Sequence, residues 1–191
     1  MGEDQLTRGP EASLNVSKED AMKVVVAVAS KYGATLEIAE AIGGVLREQG
    51  IEVDVAAIDR VSELNAYDAV VTGSAVYAGH WLKGAKEFLE ANAGTLRALP
   101  TWLFSSGPIG DPPKPKEDPV DAAPLIEIIA ARDHQVFGGK LDKSRLNFGE
   151  RALVTALRAP EGDYRDWDEI RTWALSIADA LKANPDPNAR V

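Results

Sequence analysis

Residues 24–29 read Val-Val-Val-Ala-Val-Ala. A run this apolar and β-branched fits a strand covered on both faces, because a strand with one wet face alternates apolar with polar. Such a strand needs helices on both sides of its sheet, and the rest of the chain supplies them. Leu36, Ala39, Ile42 and Leu46 recur at helical spacing, and Gly50 follows as a C′ glycine. Ile51, Val53 and Val55 alternate as a second strand nearer an edge, 69–72 makes a third, and 73–81 reads as a loop. The spacing predicts a helix over 83–93 with Ala85, Phe88 and Leu89 inward, then a fourth strand over 100–104 with proline tolerated at its first position. Leu125, Ile126, Ile128 and Ile129 form a short helix with Pro124 in its first turn, and 135–141 is a fifth strand. Trp167, Ile170, Trp173, Ala174, Ile177 and Leu181 line a last helix, opened by Asp166 and Glu169 as a capping signal. Strand and helix alternate five times, which predicts an α/β fold with a parallel sheet and helices on both faces.

In such sheets the connections are right-handed and ligands sit beyond the carboxyl ends of the strands. The loops after strands one, three and four, at 30–35, 74–81 and 105–110, are therefore the place for chemistry. The first joins a buried strand to a helix through Ser30, Lys31, Tyr32, Gly33, Ala34 and Thr35. Free backbone N–H groups and the positive end of the helix dipole favour a phosphate there. The Ser30 and Thr35 hydroxyls can donate to it, and Gly33 lets the backbone approach. The same residues also suit a turn at Gly33 with Thr35 as an N-cap and no ligand. The loop lacks Gly-x-x-x-x-Gly-Lys-Ser/Thr and Gly-x-Gly-x-x-Gly, so neither a P-loop nor a dinucleotide fingerprint is present.

Composition removes further classes. The 191 residues hold no cysteine, which excludes disulfides, thiolate nucleophiles and iron–sulfur ligation. The 30 acidic residues outnumber the 21 basic ones, a net charge of −9 that argues against nucleic acid as a partner. His80 and His134 fall on different elements, so no metal site is expected. No apolar run reaches membrane-helix length and the first twenty residues have no apolar h-region, so the expected location is the cytoplasm. Residues 1–22 and 184–191 read as loose tails around one domain at 23–183. Six prolines lie within 107–124, which reads as a long surface excursion.

The run Ala29-Ser30-Lys31-Tyr32-Gly33-Ala34-Thr35 after a buried strand resembles the FMN phosphate loop of flavodoxins. The resemblance extends over nearly all of 23–183. It implies a three-layer flavodoxin-like fold, a five-stranded parallel sheet of order 2-1-3-4-5 with helices on both faces. Within that family the pieces resemble the menaquinone-dependent protoporphyrinogen oxidases. These pieces are Gly79-His80, Leu103-Phe104-Ser105, Gly139-Lys140-Leu141-Asp142, an insertion at 143–160, and Asp166-Trp167. Two positions differ: Tyr32 stands where many flavodoxins have a hydroxyl residue, and Tyr77 where the oxidases tend to have arginine.

The resemblance implies FMN as cofactor and places its ring against the second and third loops. In Ser74, Ala75, Val76, Tyr77, Ala78, Gly79 and His80, Tyr77 is the first choice for stacking. Trp81 is either a second stacking residue or core, and His80 either meets the ring or caps its loop. Ser105, Ser106, Gly107, Pro108, Ile109 and Gly110 suit the ring's pyrimidine edge. The proline-rich stretch then reads as a lid or docking surface. In the insertion, Leu146, Leu153, Val154 and Leu157 allow an amphipathic helix with Arg145, Arg151 and Arg158 on its polar side. It reads as packed on its own domain or as a homodimer contact. The expected function is an FMN-dependent oxidoreductase or electron-transfer protein, quinone-coupled and protoporphyrinogen-oxidase-like, whose partner is a redox protein, a quinone or a small molecule. The alternatives are a binding or signalling domain without FMN, or one that holds a deazaflavin.

Overall fold

The computed structural model describes residues 22–107, 109, 118–156 and 158–183, so apart from Met22 the two tails lie outside the described residues. Five strands form the parallel sheet: β1 (Lys23–Ala29), β2 (Glu52–Ala57), β3 (Ala69–Tyr77), β5 (Thr101–Ser106) and β6 (Asp133–Phe137). Their order is β2-β1-β3-β5-β6, which is 2-1-3-4-5 when the parallel strands alone are numbered. Between β3 and β5 a short β4 (His80–Trp81) folds back antiparallel onto the end of β3.

The alternation along β1 sets the layers. Val24, Val26 and Val28 face α1 (Ala34–Glu48) and α6 (Trp167–Ala183). Val25, Ala27 and Ala29 face α2 (Lys83–Ala91), α3 (Ala93–Ala98) and α4 (Ala122–Ile129). Val24 to Val28 are at most 2% exposed, and burying each valine is worth about 1.5–3 kcal/mol. The α1/α6 face is completed by Phe104, Phe137 and Trp173, whose ring centroids lie 5.6–6.2 Å apart in tilted or edge-on pairs. After β6 the chain leaves the sheet as a two-stranded antiparallel ribbon, β7 (Lys140–Leu141) with β8 (Gly162–Asp163), and helix α5 (Phe148–Ala156) lies between its strands. None of the helices, among the described residues, is long and apolar enough to cross a membrane.

Several boundaries differ from those read in the sequence. β3 runs to Tyr77 instead of stopping at Thr72, because Gly73 and Ser74, poor strand formers alone, pair with β1 and β5 at once and Ala75 pairs with β5. The helix predicted over 83–93 is two helices, broken at Asn92, whose Nδ2 donates to the Phe88 carbonyl at 2.8 Å. The strand predicted over 135–141 ends at Phe137 and is interrupted by Gly138 and Gly139. Leu36 and Trp167 are exposed: the buried stripe of α1 centres on Ile38, Ala39, Ile42 and Leu46, and Trp167 lies under the Arg165 guanidinium, 4.5 Å from its ring centroid. The capping role of Asp166 is present, its Oδ1 accepting from the Asp168 and Glu169 N–H groups at 3.0 Å.

Gly73 lies in register with Phe104, and a Cβ at this position would come within 2.0 Å of the Phe104 ring. Gly73→Ala must therefore push the ring off Phe137 and Trp173. Urea unfolding is expected to show a loss of about 1–3 kcal/mol; a variant as stable as the parent would mean that the aromatic cluster yields freely.

Candidate functional site

The carboxyl ends of β1, β3 and β5 meet at one edge, where the crossovers from β1 and β3 leave in opposite directions. A cavity of about 560 Å³ opens there. One wall is the turn after β1. The N–H of Gly33 donates to Ser30 Oγ at 3.1 Å, and Gly33 adopts φ 89°, a left-handed conformation that glycine accepts without strain. Gly33, not Thr35, is the N-cap of α1, and no side chain caps the helix. The first-turn N–H groups after Gly33 therefore have no intrahelical partner. Thr35 is 2% exposed and lines the cavity, and its hydroxyl bonds to none of the described residues.

The opposite wall comes from β3 and from the segment after β5. Ala75, Val76, Tyr77 and Gly79 line it from one side, and Ser106, Gly107 and Ile109 from the other. Backbones approach closely here. The N–H of Gly107 donates to the Phe137 carbonyl at 3.2 Å; a Cβ on Gly107 would meet Val76 at 2.8 Å, and one on Gly139 the Gly107 carbonyl oxygen at 3.1 Å. Tyr77 is 38% exposed. Its phenol pKa is pushed up to about 12, chiefly by burial and then by the neighbouring Tyr32, so it is a neutral hydroxyl at ordinary pH.

Ser30, Lys31, Tyr32, Ala34, Thr35, Ala75, Val76, Tyr77, Gly79, Ser106, Gly107 and Ile109, all singled out in the sequence, line this cavity. Four other candidates lie next to it in the chain but turn elsewhere or stand behind the lining. Gly33 shapes the turn. Ser74 Oγ, fully buried, accepts from the Leu82 N–H at 3.0 Å and donates to the Ala75 carbonyl at 2.9 Å. Ser105 Oγ accepts from Trp81 Nε1 and lies 2.8 Å from His134 Nε2, so Trp81 is a core residue, 2% exposed. His80 Nδ1 sits 3.2 Å from Asp121 Oδ2, which also accepts from the Trp81 N–H at 2.9 Å; His80 caps its loop and points away from the cavity lining. Pro108 and Gly110 lie outside the described residues, as does the rest of the proline-rich stretch from 111 to 117. Its end is tied down where the Val120 N–H donates to the Gly79 carbonyl at 2.9 Å.

The third wall was read in the sequence as a family-like piece and an insertion, not as part of the site. Gly139, Lys140, Leu141 and Asp142, then Arg145, Leu146, Glu150 and Val154, bring the insertion over the cavity. Glu150 bonds to two residues of the turn after β1, to Lys31 Nζ at 2.5 Å and to the Tyr32 hydroxyl. Arg145 Nη1 donates to the Tyr32 carbonyl at 2.7 Å. A second tie lies behind. Arg165, its side chain 2% exposed, grips Asp163 through Nε and Nη2 while Nη1 donates to Glu37 Oε2 at 2.7 Å and to the Ala34 carbonyl at 3.1 Å. The ribbon that carries the insertion is thus bolted to the first turn of α1. In the sequence, Arg145, Arg151 and Arg158 mark the polar side of a helix, and nothing local says that Glu150 meets residues 118 and 119 positions away.

Fold and site together define a doubly wound α/β domain with a ligand cleft beyond the carboxyl ends of its strands. The chain belongs to the flavodoxin family: the family model described as Flavodoxin domain matches residues 25–168. Among curated proteins it is similar to the protoporphyrinogen IX dehydrogenase [quinone] of Escherichia coli (strain K12), 24% identical over 172 residues that cover 82% of this chain and 95% of that one. Among solved structures it is similar to a flavodoxin from the domain Archaea, with TM-score 0.60, 20% identity, and coverage of 84% of this chain and 99% of that one. It also matches the rubredoxin oxygen:oxidoreductase of Desulfovibrio gigas, with TM-score 0.60 and 18% identity, over 90% of this chain but 39% of that larger one. The structural likenesses show a shared fold.

The Glu150 carboxyl is held at a pKa of about 2, first by its bond to Lys31 and then by that to Tyr32. A depressed carboxylate pKa stabilises the closed arrangement above the unfolded value of about 4.3, and that contribution fades as pH falls towards 2. Hydrogen exchange across 148–156 is expected to stay slow from pH 7 to 5 and to gain an opening component below about pH 4. In Glu150→Gln the faster exchange should be present at every pH. Equal protection in the variant would show that the insertion is held by other contacts.

Proposed function

We propose that the cavity holds FMN and that the protein is a flavin-dependent oxidoreductase. The observation that carries this reading is the shape of the cavity: it begins on an uncapped helix N-terminus and ends between Tyr77 and the Ser106–Ile109 segment, in a flavodoxin-family chain. The donor set fits the group. The N–H groups of Ala34 and Thr35, the Thr35 hydroxyl and the positive end of the α1 dipole suit a phosphate. Ala75, Val76 and Ile109 offer apolar surface to a flat ring, and Tyr77 offers an aromatic face. The backbone of Ser106 and Gly107 supplies polar groups for the ring's rim.

Bound FMN would supply one- and two-electron redox chemistry; with no cysteine, the chain has no thiol–disulfide couple of its own. The chain's own residues bind, orient and exclude water. The turn at Gly33 fixes the anionic end. Tyr77 carries no charge at ordinary pH. The insertion, tied through Glu150 and Arg145, covers the side of the cavity that the sheet leaves open. The likeness to the Escherichia coli quinone-dependent dehydrogenase supports a quinone or another small molecule as electron partner.

The test is the visible spectrum of purified protein and its titration with FMN. Bands of oxidised flavin, or quenching of added FMN fluorescence, are expected; a colourless protein that leaves added FMN fluorescent would overturn the reading. Thr35→Glu places a carboxylate against the phosphate position, and FMN affinity is expected to fall at least about 100-fold while far-UV circular dichroism is retained. Unchanged affinity would put the phosphate elsewhere.

A further inference from the structure

The insertion brings a cation to the turn after β1. Arg145 Nη1 rests on the Tyr32 carbonyl, and the same nitrogen lies 3.8 Å from where a Cβ on Gly33 would stand. The guanidinium thus sits over the Gly33 backbone, at the mouth of the uncapped α1 helix and on the cavity beside Ser30 and Thr35. Its Nη2 bonds to none of the described residues, and its nearest carboxylate, Asp142, approaches only Nε at 3.7 Å. Asp142 is itself engaged by the N–H and hydroxyl of Ser144. The other cation at this turn, Lys31, is neutralised by Glu150. Arg145 is therefore the group with charge and N–H donors to spare for an anion bound at Thr35.

Resting on the FMN reading above, we propose that Arg145 is a specificity-determining residue that selects flavin carrying a terminal phosphate over flavin without one. The insertion is then part of the cofactor site as well as its cover. Glu150 is the positioning residue: by holding Lys31 and Tyr32 it fixes the peptide on which Arg145 rests. A guanidinium suits this place because its planar fork can bond the Tyr32 carbonyl and a phosphate oxygen at the same time, which an ammonium cannot match in geometry.

The experiment is the dissociation constant of FMN and of riboflavin, by flavin fluorescence quenching, for the full chain and for Arg145→Gln, Arg145→Lys and Glu150→Gln. Riboflavin has the same ring and ribityl chain, so the ratio of the two constants reads the phosphate contact alone. Arg145→Gln is expected to weaken FMN about tenfold with riboflavin unchanged, and to flatten the salt dependence of FMN binding. Arg145→Lys should recover part of the ratio, and Glu150→Gln should lower it by a smaller factor. A ratio that stays constant in Arg145→Gln would overturn the inference, whether both flavins bind as before or both weaken together. Failure of the parent protein to bind either flavin would instead overturn the cofactor reading on which it rests.

Discussion

Strand β1 must be dry on both faces, and the rest of the structure follows from that. Its valines alternate between two helical layers, so the chain has to pass from one side of the sheet to the other between β1 and its neighbours. With β2 on one side and β3 on the other, the crossovers part at the carboxyl end of β1 and leave a cleft. The turn at Gly33 lies in that cleft because β1 ends there, with the first turn of α1 directly behind it. A buried strand thereby delivers unpaired backbone donors to the one edge of the sheet where a ligand fits.

A second constraint acts on the open side. Two ion-pair groups of different character join the late part of the chain to the start of α1. Arg165 is buried and its donors meet Asp163, Glu37 and the Ala34 carbonyl; this is a structural bolt. Glu150 and Arg145 are more exposed and bind the turn itself, where solvent and salt reach them. The Arg165 side chain is shielded from solvent, while those of Glu150 and Arg145 are reached by it.

The fold was legible because its signals are local. The apolar run at 24–29, the glycine at 50 and the capping pair Asp166–Glu169 each declare an element within a few residues. Boundaries failed where pairing overrode propensity, as at Gly73–Ala75, or where one side chain redirected a helix, as at Asn92. Of the site, the turn from Ser30 to Thr35 and the face at Tyr77 could be located because they follow strands. What could not be seen was which hydroxyls face inward: in the strands, residues one position apart point to opposite faces, so Ser106 lines the cavity while Ser105 and Ser74 serve Trp81 and Leu82.

By itself the sequence determined an α/β sheet of five parallel strands, the edge at which a ligand would bind and the loop suited to a phosphate, because periodicity and glycine placement act over short stretches of chain. Only the tertiary structure decided that Gly33 rather than Thr35 caps α1, that Trp81 belongs to the core, and that the insertion closes the cavity through Arg145 and Glu150. The last of these depends on residues more than one hundred positions apart reaching each other across the fold, and no local pattern encodes such a distance.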